Sequence, residues 1–402
     1  MEPPTPAPSS SSDAPSPHDH LSSVDNLPTK LGSGWTSGVL SIVLGIVGLG
    51  AVICFHFPNL FTMPELREKY PVEILRAVLH LVLVAAFLLA MLSLVLRERK
   101  LLGLTGATLV LIAALLGGSR VVIDDQIKEK GFFLGLDWFL LNLIYSCAVF
   151  IPMERLFARL PDQPIFRRGF VTDFTYFLIS TLAVQLTTYL TIQPATALFQ
   201  WAVSPKVHAF VQNLPWVVQF LVIMLSVDII QYWVHRVLHT VPWLWKFHAV
   251  HHSTDAMDWL AGSRLHLVEQ VFTRTSSLIP AVVLGFHHVP VIAYLIFISF
   301  HATFIHANVK IDWGPLDWLF VTPRFHHWHH AIEREAIDKN FAVHFPVLGL
   351  LFGTYYLPGN AWPSGYGIHD KVPSGWLRQF FYPFIPKAQS VQEDTPTVEV
   401  HD

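Results

Sequence analysis

The stretch Asp228–His252, DIIQYWVHRVLHTVPWLWKFHAVHH, closes an apolar run with two histidine groups: His235 and His239 in HRVLH, then His248, His251 and His252 in HAVHH. Downstream, HATFIH contributes His301 and His306, and HHWHH contributes His326, His329 and His330. Histidines at i, i+3 and i+4 share one helix face, so each group aims several imidazoles at a common point. Imidazole binds Fe, Zn, Cu and Ni through a neutral ring nitrogen, and the rings here outnumber the four positions of one tetrahedral ion. Two ions are therefore expected. His327 stands about 100° from His326 on a helix and is expected outside the ligand set. His301 is kept as a tenth candidate, although its five-residue offset turns it about 140° from His306 on a regular helix.

Asp228, Tyr232, His235 and His239 follow one another at steps of four, three and four, which makes one stripe. An ionised carboxylate in an apolar helix needs a partner, and Asp228 is expected to accept the second ring N–H of a ligand or neighbouring histidine. His266 and the pair His287 and His288 are left out of the set, and the isolated His56 and His80 read as packed or interfacial polar residues.

Around this stretch the chain is apolar. Charged residues are 14% of the 402, against about 25% in soluble chains, and hydrophobic ones are 52%. The expected fold class is all-α, a polytopic membrane bundle with a cytoplasm-facing helical cap that holds a histidine-rich di-metal site. A net charge of -3 gives no basic stripe for nucleic acid. Two cysteines, Cys54 and Cys147, exclude a disulfide framework and a cysteine-based metal site.

Residues 1–34 are rich in Pro, Ser and Asp and are expected to form a disordered tail. No basic segment precedes a short apolar core there as a signal peptide requires, so the first apolar run is expected to be retained. Runs of the roughly 20 residues needed to cross a bilayer begin near Ser37, Ile74, Leu101, Phe132, Phe170 and Trp216, which predicts six spanning helices. Two shorter apolar runs, 268–284 and 289–304, are expected to dip into the bilayer and return. Residues 35–152 read as a four-helix membrane module, 170–360 as the catalytic domain, and 361–402 as an interfacial aromatic segment with a loose tail. The basic turn Arg97–Lys100 and the arginine-rich loop 155–168 favour a cytoplasmic placement of the N-terminus and of the histidines.

HRVLH, HAVHH, HANV and TPRFHHWHH, in that order and followed by IDKNFAV and LFGTYY, resemble the fatty acid hydroxylase/sterol desaturase superfamily over about residues 170–360. TPRFHHWHH and IDKN are most similar to its alkylglycerol monooxygenase branch and bacterial relatives. The resemblance implies an O2-dependent lipid hydroxylase or desaturase with two Fe ions, which Zn can replace in a purified sample. Its ligands would be His235, His239, His248, His251, His252, His306, His326, His329 and His330, with Asn308, Asp338 and Asn340 among the supporting residues. Many members carry Trp-Asp where this chain has Leu348-Gly349, so no acidic support is expected at that point. The substrate would be a membrane lipid, a fatty acyl, sterol or ether lipid, entering through an apolar funnel. No haem- or flavin-binding motif is present, so electrons are expected from a separate protein, cytochrome b5-like or a ferredoxin with its reductase. A histidine-rich metal-binding or transport protein is the competing class; transport sites sit near the bilayer midplane on broken helices, whereas these groups fall at helix ends. Neither HExxH nor HxxEH occurs, against a zinc protease.

Overall fold

A computed structural model describes residues 32–123 and 131–385. The tails expected before residue 35 and after Gln389 lie outside the described residues, apart from 32–34. Among the described residues the chain is helical, with two isolated bridges and no strand.

The apolar runs become α1 (Trp35–His56), α2 (Val72–Leu96), α3 (Leu101–Leu115), α4 (Leu136–Leu156), α5 (Phe170–Leu182), α6 (Val184–Phe199) and α7 (Trp216–Thr240). Five of the described helices are long and apolar enough to cross a membrane, or six if the bent pair α5–α6 counts as one span. That pair departs from the single straight helix expected from Phe170: its halves meet at 66°. At the bend the Leu182 carbonyl accepts from the N–H of the distant Gly135 (3.0 Å). Gly135 alone allows this approach, since a Cβ there would stand 2.6 Å from Val184 Cγ1.

α1 packs against α2 and α3 around a small core of Val52, Leu79, Leu83, Ala86, Val110 and Ala113. Small residues allow this closeness, as at Gly106, which lies so near Ser41 that no Cβ fits. α4 belongs to a different core, in which its Leu143 and Phe150 join Phe177, Tyr232, Phe304, Phe325 and Phe341. The element nearest the boundary expected at residue 152 thus shares a core with the histidine-bearing part.

Beyond α7 come α8 (Pro242–His252), α9 (Leu267–Leu284), α10 (His288–Phe304) and α11 (Pro323–His329). α9 and α10 each pack against α7, and the turn between them returns to the start of α7: His287 N–H donates to Gln219 Oε1 (2.9 Å), and the His287 ring stacks on Trp216. The run FAVHFPVLGLLFGTYYLP forms only the single helical turn Val347–Leu351.

Candidate metal centre

Backbone geometry places the histidine groups together. Pro242 disfavours a helical Val241, so α7 ends at Thr240 and α8 restarts with proline at its first position. HRVLH and HAVHH therefore meet around one corner. α11 begins at Thr322, whose Oγ accepts from Phe325 N–H and donates to Asp317 Oδ1 (2.8 Å), and this cap aims HHWHH at the same place.

Two groups result: His235, His239, His248, His252 and His329 form one, and His251, His306, His326 and His330 the other. Within each, one nitrogen per ring lies within 4.8 Å of all the others. The groups touch, since His252 stacks on His330 with ring centroids 4.3 Å apart.

The outward nitrogens reveal how the rings are oriented. Nδ1 of His235 donates to Phe341 O (3.0 Å), that of His251 to Arg264 O (3.1 Å), that of His306 to Ala302 O (2.7 Å) and that of His329 to Lys339 O (2.8 Å). Nδ1 of His248 meets Glu269 Oε1 at 2.6 Å, and that of His239 meets Asp338 Oδ1 at 3.1 Å. A carbonyl only accepts, so these contacts assign the proton to Nδ1 and leave an unprotonated Nε2 facing inward.

Inside, His235 Nε2 lies 3.0 Å from His248 Nε2, and His251 Nε2 lies 3.2 Å from His306 Nε2. The His251–His306 pair has no hydrogen to share, since both Nδ1 atoms donate to carbonyls, so two lone pairs face each other at contact; the same holds for His235 and His248 when Glu269 is ionised. Nε2 of His239 and of His329 is buried with no partner at all. Burial, reinforced by neighbouring imidazoles, holds His248, His251, His252, His326, His329 and His330 well below the ordinary histidine pKa, and burial pushes His306 down to about 4. The rings are thus neutral at pH 7, the form that ligates. Two nitrogens about 2.1 Å from one ion stand about 3.0 Å apart at a right angle and about 3.4 Å apart at a tetrahedral angle. The donor set fits metal.

Some expected residues serve elsewhere. His301 lies outside both groups: its Nε2 faces Val321 O (2.9 Å) and its Nδ1 faces His344 Nδ1 (3.3 Å), so neither nitrogen is left for the cluster. His301 lies within α10, whereas His306 lies beyond the end of that helix at Phe304. His327 also lies outside, against Tyr366 OH and Ala307 O. Asp228 touches no ring and instead accepts from the backbone N–H groups of Val343, His344 and Phe345 (2.7, 3.1 and 2.7 Å). The stripe shared with His235 does not make contact, because residues seven apart are two turns, about 10.5 Å, apart along the helix. Tyr232 bonds Thr354 Oγ1 (2.8 Å).

Asn308 ties both backbone groups of Leu160, and Asn340 pins Phe325 O and both backbone groups of Tyr356. Asn340 sits at φ 59°, a conformation asparagine tolerates, and fixes the segment whose Lys339 and Phe341 carbonyls orient His329 and His235. Of the five supporting residues expected, only Asp338 meets a clustered ring directly.

Glu269 was absent from the sequence-based set. Its signal is a lone carboxylate near the start of the mainly apolar helix α9, where burial demands a partner. A carboxylate behind a metal-binding imidazole fixes its tautomer and raises its basicity. Glu269→Gln is therefore expected to lower affinity for added Zn by roughly 10–100-fold in chelator competition; unchanged affinity would show that Glu269 serves packing alone.

Residues 220–354 match the fatty acid hydroxylase family. Ornithine lipid hydroxylase OlsE of Rhizobium tropici is 32% identical over 127 residues, which are 31% of this chain and 38% of that protein. Alkylglycerol monooxygenase of Homo sapiens is 33% identical over 70 residues, 17% of this chain and 16% of that one. The chain thus covers less than two fifths of either curated relative. No solved structure matches it significantly. The segment 220–354, about a third of the chain, carries every histidine of both groups and is the part similar to the fatty acid hydroxylase family.

Proposed function

We propose that the chain is a membrane-bound, O2-dependent lipid hydroxylase with two Fe ions, one on each histidine group. The observation that carries this reading is the pair of unprotonated Nε2 atoms of His251 and His306 facing each other at 3.2 Å, which a cation between them would reconcile. Iron would supply the redox chemistry that activates O2; the rings would hold and orient it, and the outward hydrogen bonds of His235, His251, His306 and His329 keep their Nε2 atoms available. Placing one oxygen atom of O2 in a C–H bond and reducing the other to water takes two external electrons and two protons. A separate donor, cytochrome b5-like or a ferredoxin with its reductase, is proposed to deliver the electrons.

The wall of the first group is apolar. Phe341, buried in the core, packs on the rings of His235, His239 and His329 at 5.5, 5.0 and 6.0 Å. Both relatives are named for oxygenation of lipids, which supports the substrate class. We place 170–360 as the catalytic domain, 35–152 as an accompanying membrane module with α4 as the shared element, and 361–402 as an interfacial segment.

A cytoplasmic orientation of the cluster is also part of the proposal. Trp35 packs on Phe166, Gly34 abuts Arg97, and Arg159 and Leu160 pair with Asn308 close to His306. The basic turn, the arginine-rich loop and the cluster therefore occupy one end of the bundle, the end that positive charge keeps inside.

The test compares lipid extracts by mass from cells with and without the gene, grown with and without O2. One lipid class should gain a single oxygen atom only when both gene and O2 are present. Loss of two hydrogens would replace hydroxylation by desaturation, loss of an ether chain would replace it by ether cleavage, and identical extracts under all conditions would sink the reading.

A further inference from the structure

A cavity of about 660 Å3 opens between α1, α2 and α4, within the roughly 300–1,000 Å3 of small-molecule sites. It lies far from the histidines. Asp137 lines it, whereas Glu154, 17 residues further along α4 and hence about 25 Å away, accepts from the Asn308 backbone beside His306.

The cavity has two chemistries. Ala51, Leu79, Val82 and Leu140 make one part apolar, and the outward parts of Val78, Leu141 and Ile144 remain 48%, 42% and 45% exposed on the lipid-facing surface. The other part carries three guanidiniums, Arg67, Arg76 and Arg120. Arg67 donates to Asn59 Oδ1 (2.9 Å), yet its Nε is buried with no partner. Arg76 donates one N–H to Ser119 O (2.8 Å) and lies over the Phe55 ring, which leaves donors free. Arg120 forms no side-chain hydrogen bond or ion pair among the described residues.

Among the described residues two carboxylates also line the cavity, fewer than the three guanidiniums. Asp137 is occupied by Met63 N–H, Tyr70 O–H and Trp138 N–H. Glu73 lies exposed on the first turn of α2 and leaves the three arginines in excess.

We propose that this cavity binds one phospholipid, its acyl chain on Ala51, Leu79, Val82 and Leu140 and its phosphate on Arg76 and Arg120, with Arg67 alongside. Arginine presents paired donors that match phosphate oxygens, and basic pockets between spanning helices recognise lipid headgroups in this way. The lateral opening selects a bilayer amphiphile over a soluble anion. Its headgroup sits at the end of the bundle opposite the histidines, so this lipid is a resident rather than the molecule oxidised.

The test is native mass spectrometry of the full chain in detergent after incubation with phosphatidylglycerol, diacylglycerol or oleate, a readout independent of turnover. Phosphatidylglycerol should be retained, diacylglycerol lost, and retention should fall at least tenfold in R76Q/R120Q. Arg120→Gln alone, at an exposed position, should weaken retention while melting temperature and bound metal stay unchanged, which separates headgroup loss from misfolding. Equal retention by parent and variants, equal binding of diacylglycerol, or preference for oleate would overturn the proposal.

Discussion

His251→Ala is expected to remove metal from one group and abolish lipid oxidation, while His329→Ala does the same at the other. Each ring belongs to a different group, and each presents Nε2 because a backbone carbonyl holds its Nδ1–H, Arg264 O for His251 and Lys339 O for His329. Alanine deletes the ligand atom and leaves that carbonyl without its donor. Supporting residues around metals cost roughly 10–100-fold in affinity when lost, and deletion of a ligand should exceed that. Elemental analysis of purified protein, beside product formation from the lipid identified in the comparative extracts, measures both consequences. The informative pattern is about one ion lost per variant with the other retained. Full metal content with full turnover in either variant would remove that ring from the ligand set, and loss of all metal in both would show that the two groups form one inseparable unit.

The same outward bonds mark where sequence reading reaches its limit. Ring positions follow from spacing, because three and four residues on a helix return to one face; His248, His251 and His252 are legible for that reason. Their partners are mostly main-chain carbonyls of Arg264, Ala302, Lys339 and Phe341, and a carbonyl carries no residue-type signal. The pairing of His301 with His344 was equally hidden, since 43 residues separate them and no period links them. Apolar runs announced the helices, but the break between α5 and α6 depends on Gly135 taking the Leu182 carbonyl from another part of the chain. Sequence patterns state what an element buries, whereas these exceptions depend on which distant backbone group arrives beside it.

Asp228→Ala should be the most destabilising single change outside the rings. The carboxylate is fully buried in α7 and gathers three backbone N–H groups from Val343, His344 and Phe345, which it alone satisfies as a side chain. A buried donor left without a partner costs about 1–3 kcal/mol, so three together cost roughly 3–9 kcal/mol before relaxation. This exceeds the usual effect of a point substitution and is comparable to the whole stability of many domains. The damage should extend to the metal. Phe341, two residues before this turn, carries the carbonyl that orients His235, and its ring packs on His235, His239 and His329. Release of residues 343–345 therefore frees the wall of the five-histidine group while leaving His251, His306, His326 and His330 to be held by Arg264, Ala302 and α11. Asp228→Asn keeps an acceptor of similar shape, loses the charge, and should recover much of the stability. Thermal melting in detergent, paired with metal content, measures both effects: the alanine variant should melt far lower and lose metal first from the five-histidine group, with the asparagine variant between it and the parent. If the alanine variant melted with the parent and kept its metal, Asp228 would have no role in fixing the 341–345 segment against α7.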